Sequence, residues 1–329
     1  MSNVPAGGGD GWQTTVVPGC FPTQSGWNSP PISMLRSFAA GVATTAEGAH
    51  LQVFAARRED NAIGQAFGNL ADGWGTWVCS GYVPGAKRLV ASNLNNGMQQ
   101  VFATTLDGKL FWQQEFIGGW SSYDPFNLPD VTSFVTDLAV STAVGAHDYV
   151  YVIDRGKIFV RYRMTDLAYA PYGTWHDLGA GPGGSVLTAG VLPGGKQAVF
   201  ALDPSGIPYE LEQHEATLGA SFGAWRPAGS TPVSGLVDVE YGRANDGTSL
   251  LVALPATGNV LTSAADSEGT FGPWQAWSGP EFAGSGAAIA MTRQPAPNNH
   301  ALLIVTTLDG RIQGSEATAD QWGSWVSFL

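Results

Sequence analysis

Short runs of β-branched and aromatic residues recur along this chain, and each is followed by a tight turn and a second such run. In the clearest copy, Val101–Thr105 and Lys109–Gln113 flank the dipeptide Asp107-Gly108. Because glycine supplies the positive φ that a tight hairpin turn requires, this pattern predicts a β-hairpin. Equivalent turns are predicted at Asp60-Asn61, Ser205-Gly206, Thr257-Gly258 and Asp309-Gly310.

A run of small apolar residues opens each unit, ahead of the hairpin. Small residues suit strands that converge on a common axis, where neighbouring strands sit closest together. The predicted order in each unit is therefore an inner strand, a hairpin and an outer strand. The predicted inner strands are Ser37–Thr44, Thr136–Thr142, Ser185–Val191, Leu236–Tyr241 and Gly286–Met291.

Tryptophans mark the outer strand of each unit at nearly even intervals. A fixed period of roughly 45 to 50 residues, with several short strands in each unit, is typical of a β-propeller, so the fold class is predicted to be all-β. We interpret the evenly spaced rings as packing residues between blades. They are Trp27, Trp74, Trp120, Trp175, Trp225, Trp274 and Trp322.

The number of blades depends on which feature is counted. Inner runs give six complete units within residues 37–329, whereas tryptophans give seven. Residues 1–36 have the Gly-to-Trp spacing of a repeat's second half, since Gly11 precedes Trp27 as Gly258 precedes Trp274. We favour seven blades, with residues 1–36 as a partial repeat. Six blades with an N-terminal clasp is the alternative, and residues 1–329 are predicted to form a single domain.

Charge and hydropathy limit the kinds of molecule and membrane that this protein is expected to bind. The net charge of −12 argues against nucleic acid and anionic membranes, which do not attract a net-negative surface. No run of 18 apolar residues predicts a membrane span, and residues 1–25 lack the pattern of a secretory signal. This pattern is expected both for a secreted protein whose signal has been removed and for a cytoplasmic protein. We favour the secreted protein.

Catalytic and metal-binding motifs are not apparent. The segment 219–223 matches Gly-x-Ser-x-Gly, but it lies in the loop before Trp225, and the nucleophile motif needs a strand-to-helix turn. Glu210 and Glu212 could share one strand face, which a solvated surface explains equally well. We therefore predict no catalytic residue, metal site or cofactor. Five histidines stand alone in the sequence, without the pairing usual in metal sites: His50, His147, His176, His214 and His300.

The two cysteines are informative as a pair. Cys20 precedes Trp27 by seven residues, and Cys79 follows Trp77 by two, so successive outer segments could bring them together. A disulfide would fix the N-terminal segment. Two buried free thiols in a reduced compartment are the alternative.

Additional aromatic residues have no necessary role in ring closure, because only some units carry them. Sugars stack their C–H faces on aromatic rings and offer their hydroxyls to polar neighbours, so these rings are candidate carbohydrate subsites. The candidates are Trp77, Trp112, Tyr123, Trp277 and Trp325.

The segments Val101–Trp112 and Ile304–Ile312, each followed by an aromatic pair, resemble repeats of bacterial seven-bladed propeller lectins that bind fucose. They are similar, more distantly, to six-bladed fungal fucose lectins. The resemblance covers about residues 37–329 and implies a noncatalytic glycan-binding protein, such as the targeting module of a toxin or adhesin assembly.

One departure from the fungal pattern is clear. The resemblance implies an arginine before the hairpin and a glutamate after it, and no unit keeps both. This departure favours a Trp-rimmed sugar site, and it leaves two rivals open: a protein-binding scaffold, using the channel or an interblade cleft, and a small-molecule enzyme such as a pericyclase or polysaccharide lyase. The corresponding places hold Gln52 and Gln65, Gln100 and Trp112, Tyr149 and Val160, Ala198 and Glu210, Leu250 and Thr262, and Leu302 and Gly314.

Overall fold

Six antiparallel sheets follow one another along the chain. The computed structural model describes residues 38–327, apart from 48–49, 58–61, 70–72, 75–77, 94–97, 117–118, 143–147, 164–170, 245, 257–258, 278–285, 294–300, 308–311 and 319–320. We call the sheets blades 1 to 6.

Within every blade the strands form an antiparallel meander that runs from an inner strand outwards. Blade 1 contains β1 (Phe38–Glu47), β2 (His50–Arg57), β3 (Ala62–Asn69), β4 (Gly73–Trp74) and β5 (Val78–Tyr82). Blade 2 contains β6 (Ala86–Asn93), β7 (Gln99–Thr105), β8 (Leu110–Phe116), β9 (Gly119–Trp120) and β10 (Asp124–Pro125). Blade 3 contains β11 (Val135–Thr142), β12 (Asp148–Asp154), β13 (Lys157–Tyr162) and β14 (His176–Ala180).

The second half of the chain repeats this arrangement. Blade 4 contains β15 (Leu187–Val191), β16 (Gln197–Leu202), β17 (Pro208–Glu212) and β18 (Arg226–Pro227). Blade 5 contains β19 (Leu236–Arg243), β20 (Ser249–Pro255), β21 (Leu261–Ala264) and β22 (Gln275–Ala276). Blade 6 contains β23 (Gly286–Arg293), β24 (Ala301–Thr307), β25 (Ile312–Thr318), β26 (Gln321–Trp322) and β27 (Val326–Ser327).

Turn chemistry explains the hairpins. Gly108 has φ of +75°, and its N–H donates to the Thr105 carbonyl at 3.0 Å, as predicted for the Asp-Gly turn. Gly206 has φ of +71° and donates to Asp203 in the same way. The predicted turns at Asp60-Asn61, Thr257-Gly258 and Asp309-Gly310 lie outside the described residues.

The ring closes after six blades. Each inner strand contacts the inner strand of the next blade, and β23 of blade 6 contacts β1 of blade 1. The all-β propeller is confirmed, but the favoured seven blades are wrong, because this contact leaves no position for a seventh sheet. Residues 1–36, with Trp27 and Cys20, lie outside the described part. The Cys20–Cys79 bridge therefore stays a prediction.

The five predicted inner runs coincide with β1, β11, β15, β19 and β23. The inner strand of blade 2, β6, had no counterpart among them. It carries two adjacent charges, Lys87 and Arg88, whereas no two charged residues are adjacent in the five predicted runs.

The core is divided into apolar clusters, one between each pair of adjacent blades. Between blades 2 and 3, for example, Phe102 of β7 packs with Val150 and Val152 of β12. Side chains alternate along each central strand, so that one blade contributes to both of its neighbouring interfaces. No helix long and apolar enough to cross a membrane is present in the described ranges.

Candidate functional site

Each blade carries two aromatic residues, three positions apart, immediately before its outermost strand. In blade 3, Tyr172 pairs with Arg163 at the end of the third strand, and Trp175 directly precedes β14. The sequence has the same pair in every blade: Trp74 and Trp77, Trp120 and Tyr123, Tyr172 and Trp175, Phe222 and Trp225, Phe271 and Trp274, and Trp322 and Trp325.

This register corrects the interpretation of the tryptophan spacing. Trp120 occupies the first aromatic position, whereas Trp175 occupies the second, so the 55 residues between them contain one repeat of 52 plus three more. Tryptophan alone therefore mixed two positions of the blade. Counted at the first position, there are six units.

The second aromatic ties its blade to the preceding one. Trp175 Nε1 donates to the Asn127 carbonyl at 2.7 Å, and Trp274 Nε1 donates to the Ala228 carbonyl at 3.1 Å. Both indoles are half-buried and pack against interblade clusters. These contacts support the packing role predicted for the evenly spaced tryptophans at these two positions.

The candidate sugar-binding residues do not converge on one site. Trp277 is 7% exposed, and its ring lies 4.3 Å from that of Trp322, between blades 5 and 6. Trp325 packs half-buried against the same cluster, Tyr123 does so between blades 1 and 2, and Trp112 does so between blades 2 and 3. Trp77 lies outside the described residues.

The richest combination of aromatic and polar side chains lies between blades 2 and 3, and we call it the blade 2–3 cleft. Alternation along the strands turns one face of β7 and β8 towards blade 3, and the opposing face of blade 3 towards blade 2. Blade 2 supplies Gln100, Trp112, Gln114 and Phe126, and blade 3 supplies Arg161, Arg163, Tyr172 and Trp175.

The inner part of this cleft is a buried polar network centred on Arg163. Arg163 is 1% exposed, with Nε 3.1 Å from Asp148 Oδ2. Its Nη2 donates to Gln100 Oε1 at 3.2 Å and to Gln114 Oε1 at 3.0 Å. The Tyr172 hydroxyl also donates to Gln100 Oε1, at 2.9 Å. A charge so enclosed needs these partners, and together they fix the floor of the cleft.

Arg161 forms the outer part of the cleft and is half-buried. Its guanidinium carbon lies 5.0 Å from the Phe126 ring centroid and 5.9 Å from those of Tyr172 and Trp175. Nε donates to the Gly173 carbonyl, and Nη2 to the Tyr172 carbonyl at 3.2 Å. Burial lowers the pKa of Arg161, with only the Tyr172 hydroxyl acting in the opposite direction. No described carboxylate pairs with it.

A second polar group, between blades 4 and 5, differs because its charges compensate one another. Glu210 and Glu212 share one face of β17, as their spacing suggested. Arg226 Nη2 contacts Glu210 Oε1 at 3.2 Å and Glu212 Oε2 at 2.8 Å. Lys196 Nζ lies 2.8 Å from Glu212 Oε1. Burial raises the pKa of Glu210, and the Arg226 charge opposes that rise.

The central channel contains an ion cluster that sequence reasoning missed. Arg88 of blade 2 reaches across the axis to blade 5, where Nη1 lies 2.8 Å from Asp238 Oδ2 and Nη2 lies 3.7 Å from Glu240 Oε2. Its Nε lies 3.6 Å from Asp137 Oδ1 in blade 3. The sequence signals were charged residues within the inner strands, but the sequence could not pair them, since Asp238 follows Arg88 by 150 residues.

Burial and mutual repulsion perturb the pKa values of two carboxylates in this cluster, Asp137 and Glu240. Desolvation raises the pKa of Asp137 to about 6 and that of Glu240 to about 8, with the Arg88 charge opposing both shifts. Asp137 Oδ2 also accepts the Leu187 N–H of blade 4 at 2.7 Å, and Asp238 Oδ2 accepts the Ile289 N–H of blade 6 at 2.9 Å.

Two open cavities border the inner strands of blades 3 and 5. One, of about 460 Å³, includes Thr136, Asp203 and Val237 in its lining. The other, of about 390 Å³, includes Thr142, Tyr241 and Arg243. Among the described residues, no group of histidine, cysteine or acidic side chains is arranged to hold a metal ion.

Comparison with solved structures identifies the architecture. AofleA from Arthrobotrys oligospora matches with a TM-score of 0.65 at 14% identity, over 89% of this chain and 88% of that one. Aleuria aurantia lectin, described as six-bladed with a novel fucose recognition mode, matches with a TM-score of 0.61 at 14% identity, over 90% and 97%. This chain shares the lectin propeller fold. The BP39L lectin from Burkholderia pseudomallei matches with a TM-score of 0.58 at 15% identity, over 88% and 85%.

Sequence comparisons add no family assignment, because no protein-family model and no curated protein matches the chain. Identities of this size show the fold alone. The structural neighbours include bacterial and fungal lectins, so the resemblance suggested by the repeats is confirmed at the level of the propeller.

Proposed function

We propose that this protein is a noncatalytic carbohydrate-binding propeller and that the blade 2–3 cleft is a glycan site. The observation that carries the proposal is the meeting of aromatic rings from both blades, among them Trp112 and Trp175, above a polar floor. Such a surface suits a sugar ring, because the C–H faces of sugars stack on aromatic rings.

The neighbours add support through what they bind, because SapL1 lectin was solved with alpha methyl fucoside and Aleuria aurantia lectin with fucose-containing ligands. This chain lacks the arginine-and-glutamate pair of the fungal pattern in every unit. The proposed site is therefore rimmed by Trp112 and Trp175, and we leave the enclosed Trp277 out of it.

Tyr123 and Trp325 occupy the second aromatic position of other blades, and by sequence Trp77 does too, so they stay candidates for additional subsites. Several subsites on one rigid ring would bind a glycan-covered surface with increased avidity. The finer hypothesis, a targeting module of a toxin or adhesin assembly, belongs to this part of the proposal.

The test is a glycan array with two matched variants. Trp112→Leu keeps apolar volume beside Phe102 but removes the indole face, and we expect it to reduce the strongest signals about tenfold or more. Trp277→Leu makes the same change in an interface without this polar group, and it should keep the signals at temperatures where it is folded. Absence of any glycan binding by the unaltered protein, or full binding by folded Trp112→Leu, would contradict the proposal.

A further inference from the structure

Arg161 is the feature of the cleft that neutral sugars do not explain. Its guanidinium is half-buried among three aromatic rings, where desolvation makes an uncompensated charge costly. Every other cation described in the blade 2–3 cleft and in the polar group between blades 4 and 5 has a carboxylate partner. Arg163 has Asp148, Arg226 has Glu210 and Glu212, and Lys196 has Glu212.

The backbone holds this guanidinium in a fixed orientation. Nε and Nη2 donate to carbonyls of the segment that precedes β14, which leaves Nη1 with no hydrogen-bond acceptor among the described residues. The rings of Phe126 and Trp175 restrict the same side chain. A planar, pre-oriented guanidinium with free N–H groups matches a carboxylate better than it matches a hydroxyl.

A nearby carboxylate of the protein would raise the pKa of Arg161, but the pKa is lowered, and burial is the first cause. The positive charge is therefore available to a ligand. It stands out on a protein of net charge −12, whose overall field repels anions. An anion would therefore be attracted by the local charge of Arg161, although the net negative charge of the protein repels it.

From these observations we infer that the blade 2–3 cleft selects sugars that carry a carboxylate, such as uronic or sialic acids. The carboxylate contacts Arg161, while the sugar ring lies against Trp112 or Trp175. This inference rests on the proposed glycan-binding function and names its ligand class.

The experiment compares acid-terminated glycans with their neutral counterparts on one array, together with sulfated glycans. Titration calorimetry with methyl glucuronide and methyl glucoside then isolates the carboxylate, since the two sugars differ only there. We expect the unaltered protein to prefer the acid forms by about tenfold, and the preference to weaken as salt increases.

Two variants assign the preference to its residue. Arg161→Gln should abolish the preference for acids while neutral glycans still bind. Arg155→Gln removes the same charge from the exposed β12–β13 turn of the same blade, and it should retain the preference. Thermal unfolding establishes that both variants are folded.

The outcomes separate the two proposals. Binding of neutral glycans with no preference for acids, a stronger preference for sulfated glycans, or an unchanged preference in folded Arg161→Gln would overturn the carboxylate inference and leave glycan binding intact. No binding of any glycan would overturn both.

Discussion

Trp277 illustrates how burial decides the consequence of removing a single ring. It packs against Trp322 at 4.3 Å and is almost enclosed, so Trp277→Ala leaves a cavity between blades 5 and 6. We expect the free energy of unfolding to fall by about 3–5 kcal/mol, measured by denaturant titration. Trp225→Ala, at a half-buried ring, is the comparison. A loss below about 1 kcal/mol for Trp277→Ala would show that the site collapses around the smaller side chain.

The sequence predicted such packing residues as a class but assigned several of them to the wrong position. Trp277 follows the second aromatic of blade 5 by three residues, at the place where blades 3 and 4 have Leu178 and Ala228. Sequence spacing cannot distinguish the second aromatic position from the position of Trp277. Trp325, a second aromatic, follows Trp322 by three residues, and Trp277 follows Trp274 by three residues as well. The distinction comes from strand pairing, which long-range contacts determine.

At the scale of strands, acidic side chains join the inner strands of successive blades. Asp137 of β11 accepts the Leu187 N–H at the start of β15. Asp137→Ala removes this acceptor from a buried donor, and we expect faster hydrogen exchange at the Leu187 amide.

The Val199 amide, in the middle of blade 4, serves as the internal reference for that exchange measurement. It lies in the β15–β16–β17 ladder and should keep its protection. Equal acceleration at both amides would indicate global destabilisation, and no acceleration at Leu187 would show that the carboxylate is dispensable to this junction.

Most inner strands could be predicted from their apolar runs, and β6 is the exception. Five inner strands were recognised from apolar runs, even though β11 carries Asp137 and β19 carries Asp238 and Glu240, whereas β6 was missed because Lys87 and Arg88 interrupt it with two adjacent charges. The ion contacts between these strands cross the ring, so local periodicity cannot reveal them. The same reasoning applies to Arg161 and Arg163: their spacing places both on one strand face, but Phe126 beside Arg161 and the two glutamines that bind Arg163 come from blade 2.

At the scale of the whole molecule, the channel cluster makes stability depend on pH. Glu240 has a pKa raised to about 8, so folding retains a proton that the unfolded chain has lost. Its contribution is present at acidic pH and is lost as pH rises through about 8. Asp137, raised to about 6, acts in the same direction at lower pH, while Arg88 and Asp238 complete the charged surroundings.

We therefore expect Glu240→Gln to stabilise the protein relative to wild type as pH rises from 5 to 9. The side chain keeps a 21% exposed fraction, and water reduces the cost of ionisation, so the expected gain at pH 9 is about 1–3 kcal/mol. Denaturant unfolding at several pH values measures it, with the exposed Glu268→Gln as control. A difference between wild type and Glu240→Gln that stays constant with pH would exclude this titration.

The propeller was predictable because repetition supplies the same evidence several times, whereas the blade number and the site were not. The correct count of six blades is obtained only when Trp120 and Tyr172 are recognised as the same position in successive blades, although their side chains differ. The blade 2–3 cleft depends on Arg161, which has no carboxylate partner among the residues the structure describes, and this becomes visible only when the neighbouring blade is in place.

Ring closure by β23 against β1 also has a mechanical consequence. Every described sheet is built from one continuous stretch of chain, so no described strand crosses this junction to join the first and last blades. The junction relies on apolar contacts such as those of Val53 and Ala290, rather than on a ladder of backbone hydrogen bonds. Under tension applied between blades 1 and 6, we expect the ring to open first at this junction, while the individual blades remain folded.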